Sequence, residues 1–401
     1  MSVLFSIALL FSLLFSPVAS VAPPAKIDVS DDIAIVSFLA NVPADAFDQG
    51  YLSYVNFQAM VDAHPDASLL PEDMTLETWR DTPEGKAWIQ TMLSIGGSSL
   101  IRMYAGLADE TFELTGMHPL RVQESLHAGL SIDMEHWLRG NIDKEQVIKV
   151  LEANDYVAEA AQDESGWVLL CENGDCSKGF TFDKEKRNDA FIFGGNLGRR
   201  WPIAVKDDLL VSAQLEETFR TATEPVEHSL IDLMTVSRPI SVVLSSIEDD
   251  GDASISQMLM HKPEQFFWMP GQGANIKSLG MFHTNGKEAQ RVIFTLTFNS
   301  TAEAEEARQQ IEEAYQTAEE IKRLFSEAVD EIDGVKEDLY IDSTEDDAVL
   351  IVPFRFKTTA QLLEDGKLQS SFIFFTRLQL SDHLRWLAPL DTDTPTMPSI
   401  N

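Results

Sequence analysis

The clearest alternation of apolar and polar positions runs from Arg291 to Leu380. In RVIFTLTF, Val292, Phe294, Leu296 and Phe298 point one way and Ile293, Thr295 and Thr297 the other, the period of a strand. Ser300 and Glu303 follow at capping-box spacing. Ala304, Ala307, Ile311, Ala314, Tyr315, Ala318, Ile321 and Phe325 then recur every three or four positions, which predicts a helix that Gly334 stops. Strands at Leu339–Ser343 and Ala348–Phe356, a short helix at Thr359–Leu363 and a strand at Ser371–Leu378 complete the order β-α-β-β-α-β. That order defines a ferredoxin-like unit, a fold that hosts many unrelated functions.

A second run follows the same plan. Ile132–Leu138 reads as a strand, and Asn141 or Asp143 caps a helix carrying Val147, Ile148, Val150 and Leu151. Tyr156–Ala160 and Trp167–Cys171 read as strands around a polar turn at Gln162–Ser165. Leu209–Ser212, a helix at Glu216–Thr221 and a strand at Ile240–Ser246 supply the remaining β, α and β. The expected fold is therefore α+β, with two ferredoxin-like units built on antiparallel sheets and an N-terminal helical segment. Before them, Ile33–Leu39 alternates weakly as a first strand, and Tyr51–Phe57 is a strand leading into a short helix that ends at His64-Pro65. Residues 71–107 read as helical, with Trp79, Trp88, Met92, Ile95 and Leu100 inward and a break at Gly96-Gly97. The division that follows is 1–22 leader, 23–131 strand and helical segment, 132–250 first unit, 251–290 connecting segment, 291–385 second unit and 386–401 tail.

The N-terminus changes the picture from fold to location. Val3–Phe15 is an almost unbroken apolar run, broken by Pro17 and followed by Ala19, Ser20 and Ala22. This is the layout of a secretory signal peptide cleaved after Ser20, with an uncleaved anchor as the alternative. The two cysteines, Cys171 and Cys176, flank Asn173-Gly174, a hairpin-turn signal. Strands pairing across that turn would bring the thiols within bridging reach, and an exported chain meets an oxidising compartment. A redox or metal pair would need C-x-x-C spacing, which is absent.

Composition limits the partners. Against 30 basic residues stand 65 acidic ones, a net charge of −35. A field of that sign repels nucleic acid and anionic membrane surfaces and attracts cations and basic proteins. The 401 residues and 44% hydrophobic content are ordinary for a globular chain of two or three domains.

The strings YVNF at Tyr54–Phe57, LTGMHP at Leu114–Pro119, LRGNID at Leu138–Asp143 and NDY at Asn154–Tyr156 resemble a pattern in exported bacterial proteins of unknown function. There a "vGf-P" segment, a "G-fD" strand end and a "GY" helix end recur in that order. The likeness covers about the first half of the chain. It departs where Asn56 stands for the usual acidic residue and Asn154-Asp155 for the glycine. The resemblance implies export and an α+β build, and brings no catalytic residues with it.

The chemical motifs are sparse. His118, His127 and His136 recur every nine residues, which on a helix alternates faces and suits no shared metal. Ser94, Ser98 and Ser99 beside Gly96-Gly97 fail the nucleophile-elbow pattern at Leu100. Gly271–Ser278 lacks the G-K-[ST] ending of a phosphate loop. Phe266, Phe267, Trp268 and Met269, between Pro263 and Pro270, form either a core plug or a contact patch. Acidic clusters at Glu172–Asp175, Glu248–Asp252 and Asp342–Asp347 read as solvated turns, with calcium ligation as the alternative. Asn299-Ser300-Thr301 matches a glycosylation acceptor. No motif calls for a cofactor. The expectation is an exported non-catalytic protein of the cell envelope or exterior, acting as a binding or structural module. An exported hydrolase with a carboxylate site and a calcium-dependent adhesion protein are the alternatives.

Overall fold

The computed structural model describes residues 33–364 except 65, 93–99, 131–132, 161–164, 249–252, 263–275, 287 and 318–334. The leader, Gly96-Gly97 with its serines, the aromatic cluster at Phe266–Met269, the helix stop at Gly334 and the strand expected at Ser371–Leu378 lie outside the described residues.

Helices are α1 (Ala34–Leu39), α2 (Phe57–Asp62), α3 (Leu76–Trp79), α4 (Pro83–Met92), α5 (Leu100–Tyr104), α6 (Ala108–Thr115), α7 (Lys144–Ala153), α8 (Glu216–Thr223), α9 (Met234–Ile247), α10 (Thr301–Thr317) and α11 (Thr359–Glu364). Strands are β1 (Tyr51–Asn56), β2 (Val122–Leu130), β3 (Asp133–Gly140), β4 (Tyr156–Ala160), β5 (Val168–Glu172), β6 (Ile203–Lys206), β7 (Leu209–Ala213), β8 (Ser254–His261), β9 (Ile276–Asn285), β10 (Gln290–Phe298), β11 (Val335–Lys336), β12 (Tyr340–Ser343) and β13 (Ala348–Phe356). The α+β class and the antiparallel pairing agree with the sequence.

The division into two separate sheets does not hold. All thirteen strands join one antiparallel sheet in the order β11-β13-β10-β9-β8-β1-β2-β3-β7-β6-β5-β4, with β12 also on β13. The segment 251–290, expected to connect two units, contributes β8 and β9 and is part of the join itself. The place beside β10 that a closing ferredoxin-like strand would take is filled by β9.

Two expected strands are helices. Ile35, Val36, Phe38 and Leu39 are buried, which is the spacing of a helical stripe, and they form one side of α1. Ile240–Ser246 lies within α9, whose Val236, Ile240, Val243 and Ile247 recur every three or four residues. The β-branched run there suggested a strand, but burial of one helical face outweighs that preference.

The sheet has helices on both faces. On one face, α1 and α9 cover Leu52, Tyr54, Leu126, Trp137, Met258, Met260 and Phe282. The opposite face carries two clusters. One lies under α10, with Val292, Phe294, Leu296, Leu350 and Val352; the other gathers α2 and α4 to α7 over Val55, Leu138 and Leu210. Half of the capping box predicted for α10 is present, Glu303 N donating to Ser300 Oγ at 3.3 Å; the Glu303 carboxylate accepts from Asn299 N at 3.1 Å in place of Ser300 N.

The strings Leu114–Pro119, Leu138–Asp143 and Asn154–Tyr156 lie around α7. Asp143 Oδ1 caps it at 3.0 Å from Gln146 N, and Asn154 Nδ2 donates to Leu114 O at 3.3 Å. Gly116 ends α6 at φ 74°, and a Cβ there would sit 2.6 Å from Gln146 O, so α6 and α7 touch through backbone. Asp155 takes φ 68°, a conformation glycine adopts most cheaply. Asn56 Oδ1 accepts from Ala59 N at 2.8 Å and so caps α2.

Ile311 is fully buried under α10. Ile311→Asp is expected to cost about 3 kcal/mol or more, read as a lowered thermal midpoint. An unchanged midpoint would place this face of α10 in water.

Candidate functional site

Among the described residues three constellations of buried polar groups stand out, one on the α1 face and two on the other. On the α1 face, β2 and β3 set Glu124 directly opposite Arg139. Arg139 Nε donates to Glu124 Oε2 at 2.6 Å, and Tyr54 Oη donates to Oε1 at 2.5 Å. The guanidinium also reaches Ser37 Oγ at 2.8 Å and Ala34 O at 3.0 Å and lies over the Phe38 ring. Burial pushes the Glu124 carboxyl above its usual range, against the pull of Tyr54 and Arg139. This cluster fastens α1 to the sheet.

On the other face, the register sets His127 of β2 opposite His136 of β3, with ring centroids 4.7 Å apart. Trp201 stacks on His136 at 5.6 Å. On the other side, Tyr51 of β1 meets His127 edge-on at 5.6 Å, and His261 of β8 lies 5.1 Å from Tyr51. The result is one continuous row of rings, Trp201–His136–His127–Tyr51–His261. Burial lowers His127 and His261 to about 4. It drives His136 further down, helped by the neighbouring His127.

The third constellation lies further along that face, on β8, the adjoining β9, and β10. Ser256 Oγ is 2.7 Å from His283 Nδ1, His283 Nε2 is 3.0 Å from Gln290 Oε1, and Gln290 Nε2 donates to Thr359 Oγ1 at 2.5 Å. The serine–histidine contact has the outline of a nucleophile pair. Ser256 is, however, completely buried in the ladder.

His118, His127 and His136 do not share one helix. His127 and His136 lie on paired strands and face each other, because the alternation of β2 and β3 overrides the nine-residue spacing. His118 stands apart, accepting from Leu120 N and meeting Asp109 at 3.2 Å. The signal that would have found the row is the alternation in VQESLHAGL and DMEHWLRG, read as two strands about a tight turn. Nothing local pointed to Tyr51, His261 or Trp201. Among the described residues no group of three metal-ligating side chains is assembled.

Cys171 and Cys176 are disulfide-bonded, with Cα atoms 4.8 Å apart. The turn between them has the positive φ expected, 51° at Asn173 and 74° at Gly174. The hairpin is corrected: after the turn the chain enters a 3-10 helix, Cys176–Phe180, and β5 pairs with β4 and β6 instead. Two acidic clusters hold internal cations. Glu172 Oε1 accepts from Lys186 at 2.6 Å, and Arg238 of α9 lies against both Asp342 and Asp347. Of the third cluster, residues 249–252 lie outside the described residues.

No protein-family model matches the chain, and no curated protein matches its sequence. Among solved structures, TP0453 in its crystal form I matches at a TM-score of 0.31 and 9% identity, over 86% of this chain and 100% of that one.

Two expectations follow. Glu124→Ala would leave Arg139 and Tyr54 without their shared acceptor, and about 3 kcal/mol of stability should be lost in urea denaturation. For the histidines the sign is set by burial. The unfolded chain takes up protons below about pH 6.5 that folded His127, His261 and His283 refuse until about pH 4. Stability should therefore be flat above that window and fall within it, by at most about 1.4 kcal/mol per pH unit for each histidine. Melts at stepped pH that stay level across the window would contradict this.

Proposed function

We propose that the chain is an exported, non-catalytic protein of the cell envelope or exterior that works as a binding or structural module. The observation that carries this reading is the Cys171–Cys176 bridge, a link that persists in oxidising compartments, in a chain that opens with the apolar run Val3–Phe15. The use of the buried polar groups supports it. Glu124, Tyr54 and Arg139 satisfy one another, and so do Ser256, His283 and Gln290. A carboxylate hydrolase draws less support, because Glu124, a buried acid of raised pKa, is clamped by Arg139. A calcium-dependent adhesion role draws less too, since Asp342 and Asp347 hold Arg238.

The test is the N-terminus and thiol state of the protein recovered from its native cell. The expected result is a chain beginning at Val21, outside the cytoplasm, with no free thiol. Cytoplasmic protein that keeps Met1 and two free thiols would overturn the reading.

We also infer an internal duplication, with boundaries moved from those expected. The order β10-α10-β12-β13 follows the first four elements of a ferredoxin-like unit, with β13 returning beside β10. The order β3-α7-β4 with return strand β7 follows it too, with β5 and β6 inserted. The first strand of each set is the third of three neighbouring strands, β1-β2-β3 or β8-β9-β10, and before each run comes a helix, α1 or α9, on the opposite face. An experimental structure in which the two sets fail to superpose would remove the inference.

A further inference from the structure

The β1–β8 pairing relates the two halves of the sheet. A twofold through the middle of that ladder exchanges Ser53 with Leu259. Carried outward strand by strand, it exchanges His127 with Met281, His136 with Phe294 and Ser212 with Val352. One transverse row is thus apolar in the second half and rich in histidine in the first. The apolar row lies in the cluster that packs under α10. In the first half, the inserted strands draw α7 outward onto β4 and β6, and Trp201 stacks on His136 instead. Tyr51 and His261 extend the ring contacts across the β1–β8 seam.

We propose that this histidine row makes the first half of the sheet an acid-released element, which opens while the second half stays folded. Protonation places like charges on rings 4.7 Å apart, with aromatic neighbours on both sides. The groups facing the row include Tyr51 and Ser53 from β1, Ser212 from β7, His261 from β8 and Trp201. Ser212 is spent on Pro202 O, and just before Trp201 in the chain Arg199 donates to Gln214 while Arg200 lies over Phe191. A second positive charge on the row is opposed by the first, on a ring 4.7 Å away. Among the described residues the second half holds His261 at the seam and one further histidine, the buried His283, whose ring nitrogens meet Ser256 and Gln290.

The experiment is amide hydrogen exchange on the full chain at neutral pH and at about pH 4.5, corrected for the intrinsic rate. Protection should fall first, by tenfold or more as an order-of-magnitude expectation, in β2, β3 and β7, while β9, β10 and β13 keep theirs. The variant His127→Met/His136→Phe, which installs the residues of the other half, should move the opening down by about one pH unit or more. His283→Gln should leave that opening in place. If the double variant fails to fold at neutral pH, His127→Gln/His136→Gln carries the same expectation. Equal loss of protection in both halves would overturn the proposal. So would earlier loss in the second half, or an opening unmoved in the double variant.

Discussion

The antiparallel pairing of β1 with β8 is the constraint on which the rest of the molecule depends. Each half of the sheet ends there in a strand whose backbone donors and acceptors need partners, and each strand supplies the other's. Without that ladder the chain would hold two open edges with apolar side chains on both faces. With it, one sheet has three buried clusters, and the helices are assigned to faces by where each strand leaves the ladder.

The buried polar groups make sense within that frame. A sheet covered on both faces must satisfy any polar side chain it encloses. Glu124 and Arg139 do so as a cross-strand pair that also holds α1, joining a helix to the sheet by charge as well as by packing. The histidine row solves the same problem by staying neutral among aromatic rings. The two solutions differ in pH response. The carboxylate has its cation beside it, whereas the imidazoles lie against one another and against aromatic rings.

The acidic composition reads differently once side chains are placed. Asp342 and Asp347 hold Arg238, and through it α9 is tied to the β12–β13 turn. Glu172 holds Lys186 next to the disulfide. Part of what resembles a solvated acidic surface in the sequence is therefore internal fastening, at places where the chain crosses from one element to the next.

The sequence by itself determined the local elements. β10, α10 with its Ser300–Glu303 cap, α7 with its Asp143 cap, β12, β13 and the Asn173-Gly174 turn are written within windows of about ten residues, where periodicity and capping act. The α+β class followed from them. Two short apolar runs, Ile33–Leu39 and Ile240–Ser246, were ambiguous in the same window, and only the face available for burial made them helices. Tertiary structure alone decided the single sheet, the assignment of residues 251–290 to its centre and the meeting of His127, His136, Tyr51, His261 and Trp201. The reason is range: strand pairing joins residues far apart in the chain, and a register shift of one residue would turn a strand's ring to the other face, out of the row.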